Sequence, residues 1–242
     1  MELIEKKDNQ IVFKAEIDET FANSIRRYIS KVPVLAIDEL EISNNDSPLY
    51  DETIAHRIGL IPLKMDKSIN EKSVVEFKLS VKKEGMVNSG ELKGKLDVVY
   101  PDIPITFLNK GQELEIIATA KVGRGDEHSK FLPGLMFYRN AVDVKIEKNC
   151  PQEVIKFCPQ DILKLKDGKV TITDVSKCDM CDVCIELCEK IGKKDAISIN
   201  PTNELIITVE SFGQLDVKEI FKRSIEELKK DLKEISSLIS KA

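Results

Sequence analysis

Apolar and polar residues alternate through "QIVFKAEID", where Ile11, Phe13, Ala15 and Ile17 share one face of a predicted strand, Gln10 to Asp18. The period then lengthens. In "ETFANSIRRYISKV" the residues Phe21, Ile25, Tyr28, Ile29 and Val32 recur at helical spacing until Pro33 ends the run. "VLAIDELEIS" predicts a second strand, closed by the turn-rich "NNDSP". "DETIAHRIGLIPL", Asp51 to Leu63, predicts a short helix broken before Pro62. From Lys72 to Glu147 the pattern is β-rich, with strands at "VVEFKLSVK", "LDVVY", "ELEIIATAKV" and "AVDVKIEK". A cysteine-bearing stretch from Cys150 to about Ile199 follows, then a strand at "ELIITVESFG". A final helix is predicted from Asp216 to Ser240, with Asp216 and Glu219 placed as a capping box.

That last helix has a second message. Phe221, Ile225, Leu228, Leu232, Ile235 and Ile239 step alternately by four and three, which is an a/d seam. A helix lying on its own sheet and a helix pairing with another subunit both use such a seam. Its narrowness, and its length of almost three heptads, favour the partner helix.

The chain has 242 residues, 42% of them apolar, enough for two compact domains or for one domain carrying inserted modules. Its formal net charge of −5 argues against strong direct nucleic-acid binding by the isolated chain. No apolar run approaches the ~20 residues that span a bilayer, and the N-terminus lacks the apolar core of a signal peptide. These features predict a cytoplasmic protein with no membrane association. In that compartment clustered cysteines bind metal more often than they form disulfides.

Four of the six cysteines fall in "KCDMCDVCIELCEK" at gaps of two, two and three. Bacterial-type ferredoxin runs hold iron–sulfur cubes with this spacing, three thiolates coming from one loop and the fourth from a distant Cys-Pro. Cys178, Cys181 and Cys184 supply the three. Cys158, followed by Pro159, matches the remote fourth. The intervening "LKLKDGKVTITDVSK" predicts a hairpin turning at Asp167–Gly168, which would return Cys158 towards the loop. A second cluster would need cysteines at 148, 151 and 154, where Lys148, Pro151 and Val154 stand. The expectation is one cluster, 4Fe-4S, with 3Fe-4S if Cys158 is out of reach. Zinc, which prefers two separated Cys pairs, fits less well. Cys150 and Cys188 are left over, as two buried thiols or as a disulfide.

No other chemistry is visible. His56 and His128 read as packing or hydrogen-bonding residues, and no zinc-protease motif, dinucleotide fingerprint, phosphate loop or close cluster of aspartates is present.

The blocks "ETFANSIRRYISKVPVLAIDELEI", "SPLYDETIAHRIGLIPL" and "GDEHSKFLP" resemble the D-type subunits of archaeal DNA-directed RNA polymerase. That family is similar to the bacterial α subunit's N-terminal domain and to the third-largest eukaryotic subunit. The resemblance covers essentially the whole chain. It implies an α+β fold: a discontinuous dimerisation domain, residues 1–45 and 201–242, an inserted β-rich domain, 46–149, and a ferredoxin-like iron–sulfur domain, 150–200. It also implies a non-catalytic scaffold of a nucleotidyltransferase complex, with no active site of its own. The chain would pair with subunit L, gather subunits N and P, and dock the two large catalytic subunits, which carry the magnesium site. Phe21, Ile25 and Tyr28 would then join the seam of the last helix at the heterodimer surface. Arg26, Arg27, His56, Arg57 and Gly59 become structural or large-subunit contacts, Gly59 at a place that a Cβ would not suit. The cluster would be structural or regulatory. The competing function is a ferredoxin-type electron carrier fused to a β-rich domain, weakened by the single cluster and the lack of any second redox motif.

Overall fold

The computed structural model describes residues 1–66 and 68–241; Ala242, the end of the second dimerisation segment, lies outside them. The chain runs β1 (Glu2–Lys6), β2 (Gln10–Ala15), α1 (Glu19–Tyr28), β3 (Val34–Asn45), α2 (Asp51–Gly59), β4 (Val74–Val81), β5 (Gly85–Asn88), β6 (Lys93–Gly94), β7 (Pro104–Leu108), β8 (Leu114–Gly123), β9 (Gly134–Ile146), β10 (Leu163–Lys166), β11 (Lys169–Ile172), α3 (Val183–Lys190), β12 (Ile197–Ser211) and α4 (Val217–Ile239). The architecture is mixed α+β. Two four-stranded sheets, ordered β1-β2-β12-β9 and β3-β8-β4-β6, are accompanied by the two-stranded pairs β5-β7 and β10-β11. No helix among the described residues is long and apolar enough to cross a membrane.

The chain divides into two compact units. One gathers residues 1–6, 11–22 and 137–208; the other gathers 7–10, 23–136 and 209–242.

The larger unit is built on antiparallel β3, β8 and β4. In β4 the inward Val75, Phe77 and Leu79 are buried while Val74, Glu76, Lys78 and Ser80 face out, the period-two pattern that its sequence predicts. Each inward residue opposes one from β8: Val75 faces Ala120, Phe77 faces Ala118 and Leu79 faces Ile116. The two largest differences in size, at Phe77 and Val75, meet alanines, so the layer fills closely. Helix α2 covers this core with Ile54 and Ile58, one turn apart and both fully buried. Asp51 and Glu52 in its first turn and His56 and Arg57 in its last suit the helix dipole. The Arg57 guanidinium reaches across to the Ile105 carbonyl in β7, 2.6 Å away.

The smaller unit has its own core, in which Val142, Val154, Ile162, Leu163, Val170, Ala196 and Ile197 surround Cys150, Cys178 and Cys188. β10 and β11 form the hairpin expected of "LKLKDGKV", with Lys166 opposite Lys169. Asp167 at φ 51° and Gly168 at φ 73° give the two left-handed residues of a type I′ turn.

Several sequence expectations are corrected. "LDVVY" is not a strand: Val98 makes a single bridge to Leu63, and the Val99 amide donates to Pro62 O at 2.9 Å, so the segment is spent on one extended stretch after α2. The α2 helix stops at Gly59, two residues before the expected break ahead of Pro62, and β2 stops at Ala15 instead of Asp18. A Cβ on Gly59 would meet only Ile37 O at 3.7 Å, ordinary van der Waals contact, so no close approach demands glycine there. Asp216 does cap α4, accepting from the Lys218 amide at 2.8 Å, but Glu219 pairs forward with Arg223 and leaves the capping box half made. β1, β5, β6 and β7 escape the pattern. β1 is exposed throughout, and β7 is only five residues long and begins at a proline.

Removing the inward side chain of β4 should be costly. Leu79→Ala is expected to lose about 2–5 kcal/mol of unfolding free energy, against about 0.5 kcal/mol or less for the outward Val74→Ala. Urea denaturation of both variants measures the difference.

Candidate functional site

Cys158, Cys178, Cys181 and Cys184 line one pocket, together with Val144, Ile162, Leu163, Ile172, Ile197 and Ile199. Its cavity volume is small, about 20 Å³, and Cys181 is exposed. Each thiol is placed by local chain chemistry. Cys158 ends the 3-10 turn Gln152–Phe157, and its carbonyl accepts from the Asp161 amide at 3.1 Å. Thr173 returns the hairpin to the same region, its amide and hydroxyl both donating to Ile162 O, at 2.8 and 3.0 Å. Asp174 then caps a short turn through the Ser176 amide, and Cys178 follows immediately. Cys184 stands in the first turn of α3.

Met180 and Asp182, flanking Cys181, both adopt left-handed backbone at φ 55° and 58°. For non-glycine residues such conformations cost about 1 kcal/mol or more each and persist where the surroundings impose them. Arg139, on β9, donates from Nη1 to Cys178 O at 2.7 Å and from Nη2 to Ser176 O. It clamps the start of the cysteine loop and brings a cation beside it. Sequence reasoning passed over Arg139, which carries no motif; its signal was only a charged residue next to an alternating strand.

Burial pushes the Cys184 thiol up to about 11, with the neighbouring Cys181 and Cys178 adding to the effect. Cys181 is raised too, again chiefly by burial. Thiols so placed keep their protons unless a cation compensates the thiolate charge. Among the described residues no three His, Cys, Asp or Glu side chains close on a point that would hold a single metal ion. A lone tetrahedral zinc needs sulfurs about 3.8 Å apart, from bonds of about 2.3 Å, whereas a multi-iron cluster takes thiolates on separate iron atoms and tolerates a wider spread. Four cysteines around an apolar pocket therefore fit a cluster in donor type and number.

Cys150 and Cys188 are both buried and unbridged. Burial, then the nearby Cys188, pushes Cys150 up to about 11. Val154, at one of the vacant second-cluster positions, is fully buried in the same core.

Of the remaining candidate residues, Phe21 belongs to the smaller unit, where it is half-exposed, and the others lie in the larger one. Ile25 and Leu228 are buried in the chain's own core and so are withdrawn from any partner surface. Tyr28, Phe221 and Ile225 are half-buried. Leu232, Ile235 and Ile239 are exposed at 56, 54 and 71%. α4 thus divides along its length. Val217, Ile220, Ser224 and Leu228 bury one face of its first half, and the Tyr28 hydroxyl donates to Asp231 Oδ2 at 2.9 Å. Beyond that point its apolar residues meet solvent.

Arg26 and Arg27 line an open groove with Leu132, Leu135 and Met136, Arg26 being held by Asn23 Oδ1. His56 and Gly59 share a second groove with Asp38, Asp51, Glu52, His128 and Lys130. There His128 Nδ1 accepts from the Lys130 amide. Burial opposes ionisation of Asp38, but Lys121 at 2.6 Å and Lys130 at 2.5 Å outweigh it and hold the carboxyl below its usual range.

Residues 40–133 match the family described as the RNA polymerase Rpb3/RpoA insert domain. The chain is 35% identical over 234 residues to the DNA-directed RNA polymerase subunit Rpo3 of Thermococcus kodakarensis, covering 90% of this chain and 89% of that one. It is 33% identical to Rpo3 of Archaeoglobus fulgidus over 99% of this chain and 97% of the relative. It is 30% identical to the RNA polymerase II subunit rpb3 of Dictyostelium discoideum over 97 and 93%. Likeness at this level along nearly the full length of both partners places the sequence: the chain belongs to the Rpo3/Rpb3 family of DNA-directed RNA polymerase subunits.

Proposed function

We propose that this chain is a non-catalytic assembly subunit of an archaeal-type DNA-dependent RNA polymerase, pairing with an L-type subunit and offering the platform on which N- and P-type subunits and the two large catalytic subunits gather. The observation that carries the reading is the distal half of α4. Leu232, Ile235, Leu238 and Ile239 stand exposed on a helix whose first half is anchored in the chain's own core. Burying side chains of this kind against a partner is worth about 1.5–3 kcal/mol each when complete, so the seam is a docking element. The two open grooves, one arginine-lined and one lined by His56, Asp51, Glu52 and Lys130, suit contacts to the larger subunits.

The same proposal gives the cysteine pocket one iron–sulfur cluster, 4Fe-4S, ligated by Cys158, Cys178, Cys181 and Cys184. Bound there, the cluster would supply the positive charge that four clustered thiolates need and would tie Cys158 to the distant loop. Its role is to stabilise a small unit whose apolar core is thin.

Leu232→Asp with Ile235→Asp should weaken capture of the co-expressed L-type subunit by about 100-fold or more while leaving the circular dichroism melt of the isolated chain nearly unchanged. Undiminished capture would sink the docking role of α4. Cys178→Ser with Cys184→Ser should abolish iron and sulfide retained after anaerobic purification; retention at wild-type levels would refute the ligand set. The raised thiols also set a pH dependence. Each must shed its proton to bind iron, so cluster affinity weakens as pH falls, by roughly tenfold per unit per proton released. Iron retention titrated between pH 8 and pH 6 against a fixed chelator measures that slope.

A further inference from the structure

At 3.6 residues per turn, the exposed seam of α4 has two unlike flanks. One carries Glu227, Asp231 and Glu234, of which two are engaged: Glu227 with Arg124 at 3.2 Å, Asp231 with the Tyr28 hydroxyl. The other carries Lys218, Lys222, Lys229 and Lys233, with Glu226 as the carboxylate among them. Glu226 lies 3.7 Å from Lys222. Lys229 and Lys233 form no ion pair among the described residues, and with Lys230 and Glu226 they line a shallow surface groove. The flank turned away from the chain's own core is therefore basic, and its distal half is unneutralised.

We propose that this seam receives a helix of a different chain whose facing flank is acidic, and that the same lysines keep two copies of this chain from pairing through α4. The inference rests on the partner-helix reading above and adds the chemistry of the partner. In a symmetric pair the same patch meets itself. Two antiparallel copies of α4 would turn this basic flank toward its own copy, where its one carboxylate, Glu226, is already paired with Lys222. Two parallel copies would place Lys229 opposite Ser224 and Asp231 opposite Ser236, which yields no ion pair. Neither arrangement satisfies the charges, whereas an acidic flank satisfies them all, and flanking charges of this kind set partner choice in paired helices.

The test needs only the full chain and its charge-reversed form, Lys222→Glu, Lys229→Glu, Lys233→Glu, with circular dichroism confirming that both are folded. At low salt a mixture of the two should form a one-to-one pair at least tenfold more tightly than either forms a pair alone, by sedimentation equilibrium. Raising the salt should erase the preference. Self-pairing of the wild-type chain as tight as the mixed pair would overturn the proposal, and so would a mixture that stays monomeric. The reversed form should also bind the L-type subunit about tenfold more weakly at low salt; equal binding by both forms would overturn the charge assignment while leaving the assembly role intact. If neither form bound that subunit, the assembly role would fail instead, and the mixing result alone would decide the charge rule.

Discussion

The division of α4 between two surfaces depends on how its first half is held. Val217, Ile220, Ser224 and Leu228 bury one face, Asp216 caps the start, and the Tyr28–Asp231 and Arg124–Glu227 contacts fix the rotation of the helix about its axis. Helices in proteins owe most of their stability to a packed face. The turns beyond Leu228 have no such face within their own chain, yet they inherit direction and rotation from the turns before them. If the anchored half rotated by one residue, Leu232 and Ile235 would leave the open side and the lysine flank would change neighbours. The contacts that place the partner surface are thus intramolecular ones.

The cysteine pocket follows a different logic. Its thiols are gathered by backbone devices: a 3-10 turn before Cys158, a type I′ hairpin, an aspartate-capped turn before Cys178 and two left-handed residues around Cys181. Arg139 adds a clamp from β9 on the loop's carbonyls. None of these devices neutralises buried thiolates, which is why burial drives Cys184 so far up. The chain supplies geometry; in the proposed cluster the compensating charge would come from iron.

Much of this was legible in the sequence where one period ruled one face. The alternation in β4 and β8, the Ile54–Ile58 spacing of α2 and the Asp167–Gly168 turn all read directly, because local pattern and tertiary environment agree there. The failures have physical causes. "LDVVY" has strand composition, but its neighbour is a short extended stretch without a ladder to join. Leu228 lies at seam spacing, yet the seam of a helix anchored at one end is shared with its own core, and periodicity cannot say where along the helix ownership changes; Ile25, on α1, is likewise taken by the chain's own core. Gly59 illustrates a glycine in a recognisable block whose position tolerates a side chain. Arg139 was invisible because a clamp on carbonyl oxygens needs no pattern, only an arm of the right length from another strand.

Val154 marks where the second half of a ferredoxin-type motif would fall. It stands at a position where a second run would carry a ligand, and it is sealed in apolar surroundings beside Cys150 and Cys188. A single cysteine introduced at 148, 151 or 154 would complete no ligand set, and at 154 it would also give up packing volume. The three would have to arrive together, with room opened for them at the same time. With Val154 sealed in the core, a second set of ligands would have to displace packing as well as supply thiols, so the proposed cluster is limited to one by the apolar core around position 154.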